Sequence, residues 1–114
     1  MGNFFDLHRH DQFSFFDGFG KAEELAHRAK ELGYTALGTS NHGNISGLVQ
    51  HWLACKEEGI KPILGCEVYF QPKFNKTKPE RKSYHLCLFV KNYTGYKNLC
   101  HIISEANAEQ FYYK

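Results

Sequence analysis

Residues 34–44 read YTALGTSNHGN, and the change of character inside this stretch decides the fold. Its first part, YTALGT, is short and apolar enough for a strand covered on both faces. Its second part, Ser40-Asn41-His42-Gly43-Asn44, is polar and begins a loop. A buried strand that delivers a histidine and an amide into a loop suits a sheet whose chemistry sits at strand ends.

The flanking segments fit that picture. On the N-terminal side, Ala22, Leu25, Ala26, Ala29 and Leu32 recur at spacings of three and four, and Gly33 stands where a helix C-cap belongs. On the C-terminal side, Leu48, Val49, Trp52 and Leu53 give a second helical face that closes at Gly59. PILGCEVYF over 62–70 then reads as another strand. Further out, the aromatic run from Phe4 to His8 reads as the first strand, and HLCLFV over 85–90 as the fourth. Thr94 is placed to cap a last helix with the face Tyr96, Leu99, Cys100, Ile103 and Ala106. Strands alternating with helices at this spacing predict an α/β fold with β-α-β crossovers and parallel strands. Functional groups then collect at the C-terminal ends of those strands.

The bulk properties set bounds. A length of 114 residues is one ordinary domain, read here as 1–114 without an internal boundary. A 42% hydrophobic fraction with ten Phe and seven Tyr supplies a core, and 23% charged residues keep the remainder hydrated. No apolar run approaches bilayer length and no secretory signal opens the chain, so the expectation is a cytoplasmic protein without a membrane role. Met1-Gly2-Asn3 begins like a myristoylation site, but Asp6 stands where Ser or Thr is required. Cys55, Cys66, Cys87 and Cys100 lack the spacing of a zinc knuckle or a disulfide scaffold, and read as reduced thiols. The net charge of +2 is uneven: Lys73, Lys76, Lys78, Arg81 and Lys82 against Glu80 concentrate positive charge before Ser83. That run either contacts nucleic-acid phosphates or is a solvated insertion.

The richest chemistry lies in DLHRHDQFSFFDG, residues 6–18. On a strand, residues two apart share a face, so His8 and His10 point one way and Arg9 the other. Two imidazoles side by side suit Zn²⁺, Mn²⁺ or Fe²⁺, although the same pattern also occurs on charged surface edges. Position strengthens the metal reading. His42 follows the second strand, Glu67 lies within the third, and Asp17 lies in the loop leading to the first helix. His27, His51 and His101 fall beside the apolar positions of their helices and read as solvated surface.

DLHRHDQFSFFDG, TSNHGN, GIKPILGCEVY, YHLCLFVKNYTGYKNL and FYYK resemble, in order and spacing, the N-terminal PHP (polymerase and histidinol phosphatase) domain of bacterial DNA polymerase III alpha subunits. The resemblance implies the first part of a distorted (β/α)7 TIM-like barrel, truncated, with up to three divalent metal ions at its mouth. By position, His8 and His10 resemble ligands of a first metal, and Glu67 a carboxylate shared between the first and second. His85 resembles a ligand of the second, and Asp17 with His42 ligands of the third. The implied chemistry is metal-dependent phosphoester hydrolysis, including 3′ to 5′ exonuclease action on DNA. The alternatives are a PHP scaffold without catalysis and a stand-alone phosphatase of the histidinol-phosphatase type.

Departures from the family pattern accompany the resemblance. Asn41 stands where the second motif has Asp, and Asp11 where the first continues into Ser. Further ligands are expected beyond Lys114, so a partner is expected too: the remainder of the polymerase, a complementary fragment, or a second copy. His85 poses a separate difficulty. It opens its strand, and in a parallel sheet that is the end remote from the site.

Overall fold

A computed structural model describes residues 4–71 and 83–108 of the chain. The basic run from Lys73 to Lys82 and the closing FYYK lie outside the described residues. The elements follow as α1 (Ala22–Glu31), β1 (Ala36–His42), α2 (Leu48–Glu57), β2 (Lys61–Phe70), β3 (Tyr84–Phe89) and α3 (Tyr93–Asn107).

Local sequence accounts for most of these boundaries. Glu23 and Glu24 in the first turn of α1 and Arg28 and Lys30 in its last turn complement the helix dipole. Gly33, at φ 79°, takes the left-handed conformation that stops the helix. The buried stripe Ala22, Ala26 and Ala29 is small enough to let α1 pack closely on Leu37, Ala54, Cys55 and Ile60. At the other end, α3 is capped by Asn92, whose Oδ1 accepts from the Gly95 N–H at 3.0 Å. The cap therefore precedes Thr94 by two positions.

The sheet has the order β1-β2-β3. β1 and β2 are parallel, from Ala36 opposite Lys61 to His42 opposite Glu67, with α2 as the crossover. β1 thus runs on through Ser40, Asn41 and His42, which the sequence assigns to a loop, because each pairs with a β2 residue. β3 departs from the parallel expectation: it runs antiparallel to β2, with Tyr84 opposite Phe70 and Phe89 opposite Gly65. A second core of Leu48, Cys66 and Leu99 fills the space between the sheet and α3, with Leu64, Val68 and Ile103 around it.

The expected first strand does not form as a regular strand. Its backbone lies along β1, with Gly38 N–H donating to Asp6 O at 2.7 Å and Ser40 N–H to Arg9 O at 2.8 Å. Between these bonds one chain advances by two residues and the other by three, so the ladder loses its register. The approach is close: a Cβ at Gly38 would lie 2.7 Å from Leu7 Cα, so no larger residue fits there.

The buried face of α2 also differs from its apolar pattern. Val49, Trp52 and Leu53 are exposed, whereas Leu48, His51, Ala54 and Cys55 are buried. His51, expected on the surface, has no exposure at all. Its reason is polar. Arg9 reaches away from His8 and His10, donating Nε–H to Gly38 O at 2.9 Å and approaching His51 Nδ1 with Nη2 at 3.1 Å. A guanidinium can only donate, so His51 Nδ1 accepts and its Nε2–H donates to Leu37 O at 3.0 Å. His27 and His101 are exposed, as their spacing predicts.

Burial, followed by the Arg9 charge, lowers the His51 pKa to about 4. The unfolded chain, with histidine near 6.5, binds this proton first as pH falls. Stability from His51 is therefore complete above about pH 6.5 and declines toward pH 4, by roughly 3 kcal/mol at about 1.4 kcal/mol per unit. Urea unfolding across that interval is expected to show this loss in the wild type and a shallower one in His51→Gln; parallel slopes would refute it.

Candidate metal centre

Strand register decides which side chains meet. Cross-strand partners share a face, so His42, Glu67 and Cys87 form one row and Tyr69 with His85 the next. Because β3 is antiparallel, its beginning meets the C-terminal end of β2. His85 is thereby carried to the end of the sheet where His42 already lies, which removes the difficulty of its place in the sequence.

Glu67 is the centre of the group, and it is fully buried. Its Oε2 lies 2.9 Å from His8 Nε2, 3.2 Å from His10 Nε2 and 3.3 Å from His42 Nδ1. Its Oε1 is in ion-pair contact with His85 Nδ1, yet among the described residues has no partner in hydrogen-bond geometry. Asp17 closes the outer side, its Oδ2 2.5 Å from His42 Nε2. The rings of His10 and His42 stack with centroids 4.0 Å apart.

The structure brings all six sequence-derived residues to one place, though unequally. His8, His10 and Glu67 set three ligand-type atoms within 4.8 Å of one another, and so do His10, Asp17 and His42. His10 belongs to both groups. His85 belongs to neither and stands on the other oxygen of Glu67.

The electrostatics follow from burial and neighbours. Burial pushes Glu67 up, but the hydrogen bond from His8 and the charges of His42, His8 and His85 outweigh it, so the carboxylate stays below its ordinary range. Burial, then the neighbouring His42, lowers His10 and favours its neutral, metal-competent form. A hydrogen bond from His42 holds Asp17 low. Four imidazoles around a charged carboxylate, with one buried oxygen left without a hydrogen bond among the described residues, are a donor set that fits a divalent ion of the zinc, manganese or iron type.

Two further residues were invisible at the level of motifs. Tyr69 places its hydroxyl 3.1 Å from His42 Nδ1. Ser14 sits behind the centre, its Oγ 3.3 Å from His10 Nδ1 and accepting from the His42 N–H at 3.2 Å. The only available signal was spacing: Tyr69 is two residues from Glu67 on a strand, and Ser14 is a lone hydroxyl within FSFF.

The departures at positions 11 and 41 turn out to be one feature. Asn41 points to the opposite face from Glu67, where its Nδ2 donates to Asp11 Oδ1 at 2.7 Å and its Oδ1 accepts from the Asp11 N–H at 2.9 Å. Ser14 Oγ adds a third bond to Asn41 Oδ1 at 2.8 Å. Asp11 also accepts from the Phe13 N–H at 3.0 Å. The Asp11 charge is therefore buried in a network of donors and does not stand in the cluster.

Cys55 and Cys66 are buried, and Cys87 and Cys100 are partly so. Burial pushes the Cys55 and Cys66 thiols up to about 11, so both are protonated core groups.

Comparison with known proteins places this geometry in context. The family model described as PHP domain matches residues 6–114. DNA polymerase III subunit alpha of Helicobacter pylori (strain ATCC 700392 / 26695) is 44% identical over 111 residues, which cover 96% of this chain and 9% of that protein. The same subunit of Aquifex aeolicus (strain VF5) is 45% identical over 121 residues, covering 98% of this chain and 10% of that one. The chain thus spans about a tenth of the length of the curated relatives it matches, in their N-terminal segment. Among solved structures, a Bifidobacterium adolescentis protein named provisionally as a metal-dependent phosphoesterase superposes with a TM-score of 0.61 at 24% identity, over 85% of this chain and 32% of that one. That likeness shows the fold: an α/β arrangement forming part of a TIM-like barrel.

The paired departures make a prediction. In Asn41→Asp, two carboxylates face each other where a 2.7 Å hydrogen bond now stands, at a cost of about 1–3 kcal/mol. Adding Asp11→Asn restores one donor and one acceptor, and is expected to recover most of that loss. A double-mutant cycle in urea measures it; simple additivity would show that the two positions are independent.

Proposed function

This chain belongs to the PHP domain family, and on that footing we propose that it is the N-terminal PHP segment of a replicative DNA polymerase III alpha subunit, bearing a divalent-metal phosphoesterase centre. The observation that carries the proposal is the buried carboxylate of Glu67, approached by four imidazoles, with Oε1 left without a hydrogen bond among the described residues. His8, His10 and Glu67 would hold one ion, Asp17 and His42 beside His10 another, and His85 would bind through the far side of Glu67. Zinc, manganese or iron suits these donors. When bound, such ions supply Lewis acidity toward a phosphoryl oxygen and a water of lowered pKa.

The protein's own contribution is orientation and charge. Glu67 stays ionised despite its burial, which supplies the negative charge that offsets the cations. Asp17 orients the His42 ring from one nitrogen and Tyr69 contacts the other. The substrate class is a phosphodiester, and the reading extends to 3′ to 5′ removal of nucleotides from DNA during replication, in the cytoplasm. Asn41 does not argue for a purely structural module, because its side chain serves Asp11 and Ser14 and lies off the centre. The exposed Val49, Trp52, Leu53 and Tyr93 offer an apolar surface to the remainder of the polymerase or to a second copy. Among the described residues no helix is long and apolar enough to cross a membrane.

Metal analysis of the purified chain is the direct test. Two or more tightly held equivalents are expected, lost together in the His8→Ala, His10→Ala double variant while the circular dichroism spectrum is retained. Release of nucleotides from single-stranded DNA with added Mn²⁺ is expected to vanish in Glu67→Gln. A chain with metal no higher than the double variant would defeat the proposal.

A further inference from the structure

The contacts around Ser14 determine where the protons sit, and with them which nitrogen of His10 is free. A backbone N–H can only donate, so the Asn41 atom 2.9 Å from the Asp11 nitrogen is the carbonyl Oδ1. The other arm agrees, since Nδ2 donates to the Asp11 carboxylate at 2.7 Å. Asn41 Oδ1 carries no proton, so at the 2.8 Å contact the Ser14 hydroxyl must donate its only one. A lone pair of Ser14 Oγ already accepts from the His42 N–H at 3.2 Å. What remains for His10 Nδ1, 3.3 Å away, is to donate to Oγ.

A neutral imidazole has one N–H. With Nδ1 protonated, His10 Nε2 presents a lone pair to Glu67 Oε2 at 3.2 Å. Two acceptors that face each other repel unless a cation lies between or beside them. We propose that Ser14, oriented by Asn41 and Asp11, is a positioning residue that fixes His10 as the Nδ1–H tautomer and so commits its Nε2 to the metal centre. The proposal rests on the metal-centre reading above and adds the residues that prepare the ligand. Asp11, Ser14 and Asn41 are all buried, so solvent does not compete for these bonds. The network also joins two ligands, because Ser14 accepts from the backbone of His42 while it orients the ring of His10.

The test uses the full 114-residue chain labelled with ¹⁵N-histidine, metal-free at pH 8, well above the ordinary histidine pKa of about 6.5. Long-range ¹H–¹⁵N correlation reads the tautomer of His10, assigned through His10→Gln. The wild type is expected in the Nδ1–H form. In Ser14→Ala, His10 is expected to shift toward the Nε2–H form and Mn²⁺ affinity to fall by about 10–100-fold, while Ser14→Thr keeps both near wild type. A residue needed only for packing would move neither the tautomer nor the Thr rescue. If Ser14→Ala does not fold, the wild-type tautomer decides alone. Mn²⁺ binding with His10 in the Nε2–H form overturns this proposal and leaves the metal-centre reading standing; a wild-type chain that holds no Mn²⁺ overturns both.

Discussion

A carboxylate without access to water costs several kcal/mol unless charges or donors surround it, and Glu67 imposes that condition on the whole sheet. It is met from three directions. The irregular N-terminal segment brings His8 and His10, β1 brings His42 by direct pairing, and β3 brings His85 by reversing direction. A one-residue slip of β2 against β1 would turn Glu67 to the helical side, among Cys66, Leu48 and Leu99. The register is therefore held by charge as well as by apolar burial.

The other face of the sheet is anchored by polar groups too. Arg9, between the two histidines, crosses to the helical side and engages Gly38 O and His51, while Asp11 engages Asn41. Alternation along 8–11 thus divides the side chains between two roles. His8 and His10 go to the centre, and Arg9 and Asp11 to the support beneath it. This replaces the missing strand ladder. Among the described residues two backbone bonds tie the segment to β1, so side-chain bonds to buried partners help place the histidines.

Much of this was legible in the sequence where the physics is local. Helix spacing at Ala22, Ala26 and Ala29, the stop at Gly33 and the strands around Leu37 and Cys66 follow from periodicity and backbone preference. The six polar residues of the candidate centre were identifiable because they stand near strand ends or carry the family pattern. Three features were not legible, each because a distant partner decides it. The direction of β3 depends on contacts with β2, for which its own residues carry no signal. His51 is buried because Arg9 needs an acceptor and Leu37 a donor, neither of which lies near it in sequence. The failure of Phe4 to His8 to form a strand comes from a register shift against β1.

The pair at positions 11 and 41 shows how such distance misleads a position-by-position comparison. Taken alone, Asn41 looks like a lost carboxylate and Asp11 like a stray charge. Together they hold one carboxylate and one amide in reciprocal contact, and that contact orients a hydroxyl against His10. The requirement lies in the pair: one acceptor-only group and one group able to both donate and accept, buried side by side. Which position carries the charge is secondary, provided Ser14 still finds an acceptor for its proton. The side chains on Glu67 have less freedom, because the N-terminal segment must deliver His8 and His10, β1 His42 and β3 His85 to one carboxylate.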